Sequence, residues 1–112
     1  MKNKIFLVPY PFTDTSAAKI RPALCLTEPN GDFEEMLLAF ITSQDINDPL
    51  PSDIEVNPSE EKGASSRLLR TSTVRLHRIF TLNRYKLQRE IGVLSPALQE
   101  EVAQKLRSLF SL

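Results

Sequence analysis

The sequence predicts a mainly β, largely antiparallel protein with one C-terminal helix, and three observations predict it. Short apolar runs of strand length recur from Ile5 to Leu94. Proline, glycine and asparagine punctuate the intervals between them. Helical periodicity occurs once, after Ser95-Pro96. Several short strands with turn residues between them fit a small barrel. The chain has 112 residues, enough for one domain over 1–112 with a modest core. Its hydrophobic content of 41% and charged content of 25% are ordinary for a globular protein and argue against disorder. No apolar run approaches the ~20 residues a spanning helix needs. Ile5–Val8 is too short for a signal-peptide core, so a cytoplasmic protein without membrane contact is expected.

Residues 4 to 8, rich in Ile, Phe, Leu and Val, read as the first strand, ended by Pro9 and Pro11. Tyr10 and Phe12 flank Pro11 and can either stack on bases or pack in the core; for Phe12 packing is the favoured expectation. Stacking is worth roughly 1–3 kcal/mol per base on single strands. Residues 13 to 18 form a polar loop leading to Lys19. Ala23-Leu24-Cys25-Leu26 is too short for a helix, and Pro22 favours a strand start and extends Arg21. Arg21 is thereby held at the mouth of a rigid element, as an anion-binding guanidinium would be. Cys25, the only cysteine, reads as a small buried hydrophobe.

Pro29-Asn30-Gly31-Asp32 signals a turn, so the Arg21 strand and the run Met36–Ser43 form a hairpin. Antiparallel pairing would bring Thr42 and Ser43 near Arg21. Asp53-Ile54-Glu55-Val56 alternates as an edge strand does, and residues 57 to 66 form a polar loop. Residues 71 to 80 read as one or two strands, with Thr71, Thr73, Arg75 and His77 on one face and Ser72, Val74 and Leu76 on the other. Residues 81 to 86 read as a turn or short helical turn, and 87 to 94 as a further strand. Ser95 is an N-cap with Pro96 at the first helical position. Leu98, Val102, Leu106, Leu109 and Phe110 then share one helical face.

Net charge is zero, but its distribution is not even. No Lys or Arg lies between Arg21 and Lys62, where ten acids accumulate. No acid lies between Lys62 and Arg89, which carries Arg67, Arg70, Arg75, Arg78, Arg84, Lys86 and Arg89. The two blocks either pair across the fold or leave one basic face, and basic surface attracts phosphate. The usual catalytic kits are missing: no Cys/His cluster, phosphate loop or G-x-S-x-G elbow occurs. The expectation is therefore no metal site and no cofactor.

Lys19-Ile20-Arg21-Pro22 before a small apolar strand, and a second strand closing in Ile41-Thr42-Ser43-Gln44, resemble the MazF/PemK toxins of bacterial toxin–antitoxin pairs. The resemblance covers almost the whole chain: Ile5–Phe12, Leu68–Leu76 and Ile91–Ser95 also match in order and spacing. It implies an SH3-like barrel of the type shared with CcdB, with Gly63 matching a loop glycine. It also implies a homodimeric, metal-independent endoribonuclease acting on single-stranded RNA. A cognate antitoxin would silence the enzyme, and the toxin–antitoxin complex would bind DNA. In such a reaction the substrate 2′-hydroxyl attacks the adjacent phosphorus, and cations or donors stabilise the developing charge. The resemblance points to Arg21 and Thr42 as the central catalytic pair, with Ser43 donating beside them. Lys19, Tyr10, Phe12, Arg75 and Gln44 are the expected substrate-contacting residues. Some members carry an arginine and, two residues on, an aspartate; Arg75 and His77 stand there, and His77 is either an acid–base group or a surface residue. Members usually have Gly-Asp or Gly-Glu before the first strand, where this chain has Asn3-Lys4. Two alternatives accompany this reading. One is a CcdB-like toxin that binds gyrase through an apolar C-terminal surface at Leu109, Phe110 and Leu112. The other is a catalytically decayed binding module.

Overall fold

The computed structural model describes residues 1–10 and 19–112. Phe12 and the polar loop after it lie outside the described residues. Six strands form one antiparallel sheet: β1 (Lys4–Pro9), β2 (Ile20–Cys25), β3 (Glu35–Thr42), β4 (Asp53–Val56), β5 (Ser72–Asn83) and β6 (Arg89–Val93). Their spatial order is β4-β5-β3-β2-β1-β6, and α1 (Pro96–Phe110) follows. The expected antiparallel β protein with a C-terminal helix is what the chain forms.

The curl of the sheet follows from its core. Ile54 and Val56 of edge strand β4 share one buried cluster with Ile5 of β1 and with Leu94, just beyond edge strand β6. Opposite edges can feed one core only if the sheet bends round it, so the strands make a half-barrel. Leu98 and Val102 of α1 complete this cluster, with Leu106 packed against it. A second cluster, with Phe6, Val8, Ala23, Cys25, Met36, Leu38 and Phe80, lies on the other side chain parity of the same strands. Burial pushes the Cys25 thiol up to about 11, consistent with an inert buried side chain.

Strand boundaries differ from the sequence reading in β5, which is one strand running to Asn83. Its pairing with β3 jumps from Ile79 opposite Ala39 to Arg75 opposite Phe40. Leu76, His77 and Arg78 therefore form a bulge, which breaks the alternation: Val74 and Leu76 are buried, His77 and Arg78 both exposed. The helical turn expected after residue 80 is confined to a 3-10 turn at Arg84–Lys86. The loop 57–66 holds another 3-10 turn, Glu61–Ser66.

That second turn closes the gap beside β6. Ser65 donates its hydroxyl to the Val93 carbonyl (2.7 Å), and the helix cap Ser95 donates to the Lys62 carbonyl (2.7 Å). A Cβ at Gly92 would lie 2.4 Å from the Ser66 carbonyl oxygen and 2.5 Å from that of Ser65. The Asn3-Lys4 departure is accommodated in the same region. Asn3 adopts φ 72°, the left-handed region that asparagine tolerates best after glycine. Its amide reaches the Cys25 carbonyl (2.8 Å) and its carbonyl accepts from the Leu94 amide (3.0 Å). Lys4 pairs with Glu90 across β1 and β6 at 3.1 Å.

Gly92→Ala should destabilise the protein by about 3 kcal/mol, because backbone rather than a flexible side chain must give way. Urea unfolding of the variant checks this; a midpoint equal to the wild type would show that the turn is not clamped on β6.

Candidate nucleic-acid interface

The groove lies where β2 begins, β3 ends and β5 begins. β2 begins at Ile20, so Pro22 lies within the strand, paired with Leu7, and not at its start as the sequence suggests; Arg21, beside it, stands exposed opposite Val8. The β2–β3 register places Ala23 opposite Phe40 and runs on toward Arg21 and Thr42. Lys19, Arg21, Thr42, Ser43 and Gln44 all line one groove of about 930 Å³. The stretch Arg67–Arg70 and the side chains of Arg78 and Arg89 complete its wall.

Electrostatics set this groove apart. Lys19, Arg21, Arg67, Arg70, Arg78 and Arg89 line it, and among the described residues no acid does. Arg21 makes no ion pair with a described residue; its recorded bond is a long one from Nη1 to the Ile20 carbonyl (3.4 Å). Glu28 binds the N-terminal ammonium at 2.9 Å and forms no salt bridge with Arg21. The Thr42 hydroxyl accepts from the Gln44 amide (3.2 Å), and an accepting hydroxyl still has its proton to donate. Arg78 covers the Phe40 ring, its guanidinium carbon 4.7 Å from the ring centroid.

Tyr10 departs from the stacking expectation. It is only 5% exposed, and its ring packs on Phe40 (4.7 Å between centroids) and against Phe80 (5.7 Å). Its hydroxyl accepts from the Ile41 amide (3.0 Å) and lies in hydrogen-bond contact with the carbonyls of Ile41 (2.9 Å) and Pro22. Burial pushes its pKa up to about 12, against the opposing influence of the Ile41 hydrogen bond and the charges of Arg21 and Arg78. A ring so enclosed supports the groove floor and is not a platform for a base.

Arg75 and His77 also sit apart from the groove wall. Arg75 is half-buried on β5 and gives a two-pronged ion pair to Asp53 on β4, with Nε to Oδ1 and Nη2 to Oδ2 both at 3.1 Å. The reason is register: Asp53 stands directly opposite Arg75 in the β4–β5 ladder. His77 is exposed in the β5 bulge. Sequence reading singled out neither Arg67, Arg70, Arg78 nor Arg89 as site residues, although the acid-free run from Lys62 to Arg89 was the signal that contained them. Among the described residues no group of three His, Cys, Asp or Glu side chains gathers as metal ligands would. No helix of the described residues is long and apolar enough to cross a membrane.

The sequence matches the family described as PemK-like, MazF-like toxins of type II toxin–antitoxin systems over residues 1–110. The chain belongs to that family. Among curated proteins none matches it significantly. Its fold is shared with the Mycobacterium tuberculosis toxin MazF-mt6, at 23% identity and a TM-score of 0.73, over 97% of both chains. It is equally similar to a mycobacterial endoribonuclease solved in complex with its cognate antitoxin, at 16% identity and a TM-score of 0.73, over 100% of this chain and 95% of that one. A further mycobacterial endoribonuclease superposes with a TM-score of 0.68 at 17% identity, over 100% of this chain and 91% of the other.

Two outcomes follow from the polar anchors. Tyr10→Phe leaves the buried Ile41 amide without its acceptor and should cost about 1–3 kcal/mol in chemical unfolding. An unchanged stability would mean that Ile41 finds another partner. For Asp53, burial opposes ionisation, but hydrogen bonds from Arg75 and the Leu50 amide and the charges of Arg75 and His77 outweigh it and hold the carboxyl below its usual range. A depressed folded pKa stabilises above the unfolded value of about 3.9, and that contribution is lost as pH falls through the folded one. Asp53→Asn should therefore flatten the acid limb of the stability–pH curve below about pH 4. Parallel acid limbs in variant and wild type would exclude the pair from this role.

Proposed function

We propose that the chain is one toxin domain, over residues 1–112, that cleaves single-stranded RNA without a metal. The observation that carries this reading is the groove itself: six cationic side chains, no described acid, and Arg21 and Thr42 on facing strand ends. The substrate 2′-oxygen bonds to phosphorus as the bond to the 5′-oxygen breaks, leaving a 2′,3′-cyclic phosphate and a 5′-hydroxyl. Arg21 can place two N–H donors on the phosphorane oxygens, where charge develops. Thr42 and Ser43 donate to the same phosphate. Lys19, Gln44 and the outer arginines guide the strand on either side. Tyr10 acts beneath the site by positioning, and Arg75 and His77 stand outside the catalytic set in this reading.

The partners follow from the same charge. A cognate antitoxin with an acidic segment complements the groove, and a structurally similar endoribonuclease was solved with its own antitoxin. The toxin acts in the cytoplasm as a homodimer. A second reading, a gyrase-binding toxin, has one observation in its favour: Leu109, Phe110 and Leu112 are 38%, 57% and 92% exposed at the end of α1. Such an activity would be indifferent to Arg21.

Purified protein freed of bound partner, incubated with long single-stranded RNA in excess EDTA, should give discrete fragments ending in 2′,3′-cyclic phosphate. Arg21→Ala should lower the rate by at least ~100-fold while the fold is kept. Full cleavage by that variant, or dependence of the wild type on added metal, would overturn the mechanism. Gyrase inhibition without RNA cleavage would favour the second reading.

A further inference from the structure

At the rim of the groove, the stretch from Arg67 to Thr71 links the 3-10 turn Glu61–Ser66 to β5. Its successive leucines have opposite fates: Leu68 is 8% exposed within the core, and Leu69 is 98% exposed. The backbone around Leu69 is pinned on both sides. The Arg67 amide donates to the Ala64 carbonyl (3.3 Å), and the Leu68 amide to the Ser66 hydroxyl (3.3 Å), which itself donates to the Gly63 carbonyl (2.7 Å). On the far side the Ser72 hydroxyl donates to the Arg70 carbonyl (2.9 Å). The turn in front cannot retreat, because Gly92 leaves it no space. Arg67 holds a left-handed conformation, φ 55°, which glycine would adopt at lower cost.

A fully exposed leucine alone would mean little. This one is held rigidly between two arginines that, with it, line the groove. Three residues span at most ~10 Å, so the two guanidinium groups and the isobutyl group address one short segment of a bound polymer. Single-stranded nucleic acid offers that alternation: a charged phosphate in every unit, with an apolar base face beside it.

We propose that Leu69 contacts a base of the bound RNA and helps decide which nucleotides the groove accepts, while Arg67 and Arg70 hold the flanking phosphates. This rests on the RNA reading above. Phosphate contacts position a strand and carry no sequence information, whereas contacts to bases do. Leu69 is thus a specificity residue of the groove, separate from the catalytic pair.

Binding and cleavage together test it. The binding probes are a fluorescent 2′-O-methyl RNA, which lacks the attacking hydroxyl, and inorganic polyphosphate, which has the charges without bases. Leu69→Ala should weaken RNA binding about fivefold or more and leave polyphosphate binding unchanged. Arg70→Ala should weaken both. In fragment mapping, Leu69→Ala should relax the base preference at one position beside the cut, and Leu69→Met should retain it. The exposed site makes both variants fold like the wild type, which circular dichroism verifies. Equal weakening for RNA and polyphosphate, or wild-type binding and cut sites in Leu69→Ala, overturns the inference. In the second case, inactivity of Arg21→Ala would keep the nuclease reading intact. A wild-type protein that neither binds nor cuts RNA overturns both.

Discussion

The Tyr10 hydroxyl sits where three strands end. It accepts from the Ile41 amide and contacts the carbonyls of Ile41 and Pro22, so the exit of β1 is tied to the start of β2 and the end of β3. These are the strand ends that carry Arg21, Thr42 and Ser43. A phenol buried on Phe40 and Phe80 is costly unless its oxygen is satisfied, and here the backbone satisfies it. Burial in turn keeps the phenol protonated, with its pKa at about 12. The geometry of the groove floor thus depends on a residue that touches no substrate in the proposed reaction.

Charge is sorted by the same fold. Part of the basic second half pairs with the acidic first half: Arg75 with Asp53, and Arg84 with Glu34 at 3.0 Å. Both pairs lie away from the groove wall. Arg67, Arg70, Arg78 and Arg89 line the groove with Lys19 and Arg21, where no described acid joins them. Both readings of the segregated charge are therefore realised, in different places. Cations held near one another repel, and a polyanion would relieve that repulsion.

Two departures from the resembled pattern acquire different meanings once placed. Asn3, in the left-handed region and hydrogen-bonded to both β2 and the residue after β6, keeps the backbone role that a glycine can fill. The aspartate missing beside Arg75 is met from across the ladder, where Asp53 supplies a carboxylate to the guanidinium. His77 occupies a bulge rather than a paired position; it is exposed as alternation expects, and the alternation first breaks at Arg78.

The strands, the β2–β3 hairpin and the capped helix were legible in the sequence because each rests on local rules. Apolar runs, the Pro29–Asp32 turn and Ser95-Pro96 act within a few residues of themselves. The convergence of Arg21 with Thr42 was legible too, since antiparallel pairing across a short hairpin leaves little choice of register. Only the tertiary structure decided what depends on contacts distant in sequence. It buried Tyr10 against Phe40 and Phe80, gave Arg75 to Asp53, and brought Arg67–Arg70 to the same groove as the ends of β2 and β3. The bulge at Leu76–Arg78 was invisible because an odd number of unpaired residues reverses alternation without any change in residue type. Long-range register and the curl of the sheet, not composition, turned an acid-free stretch into one wall of a groove.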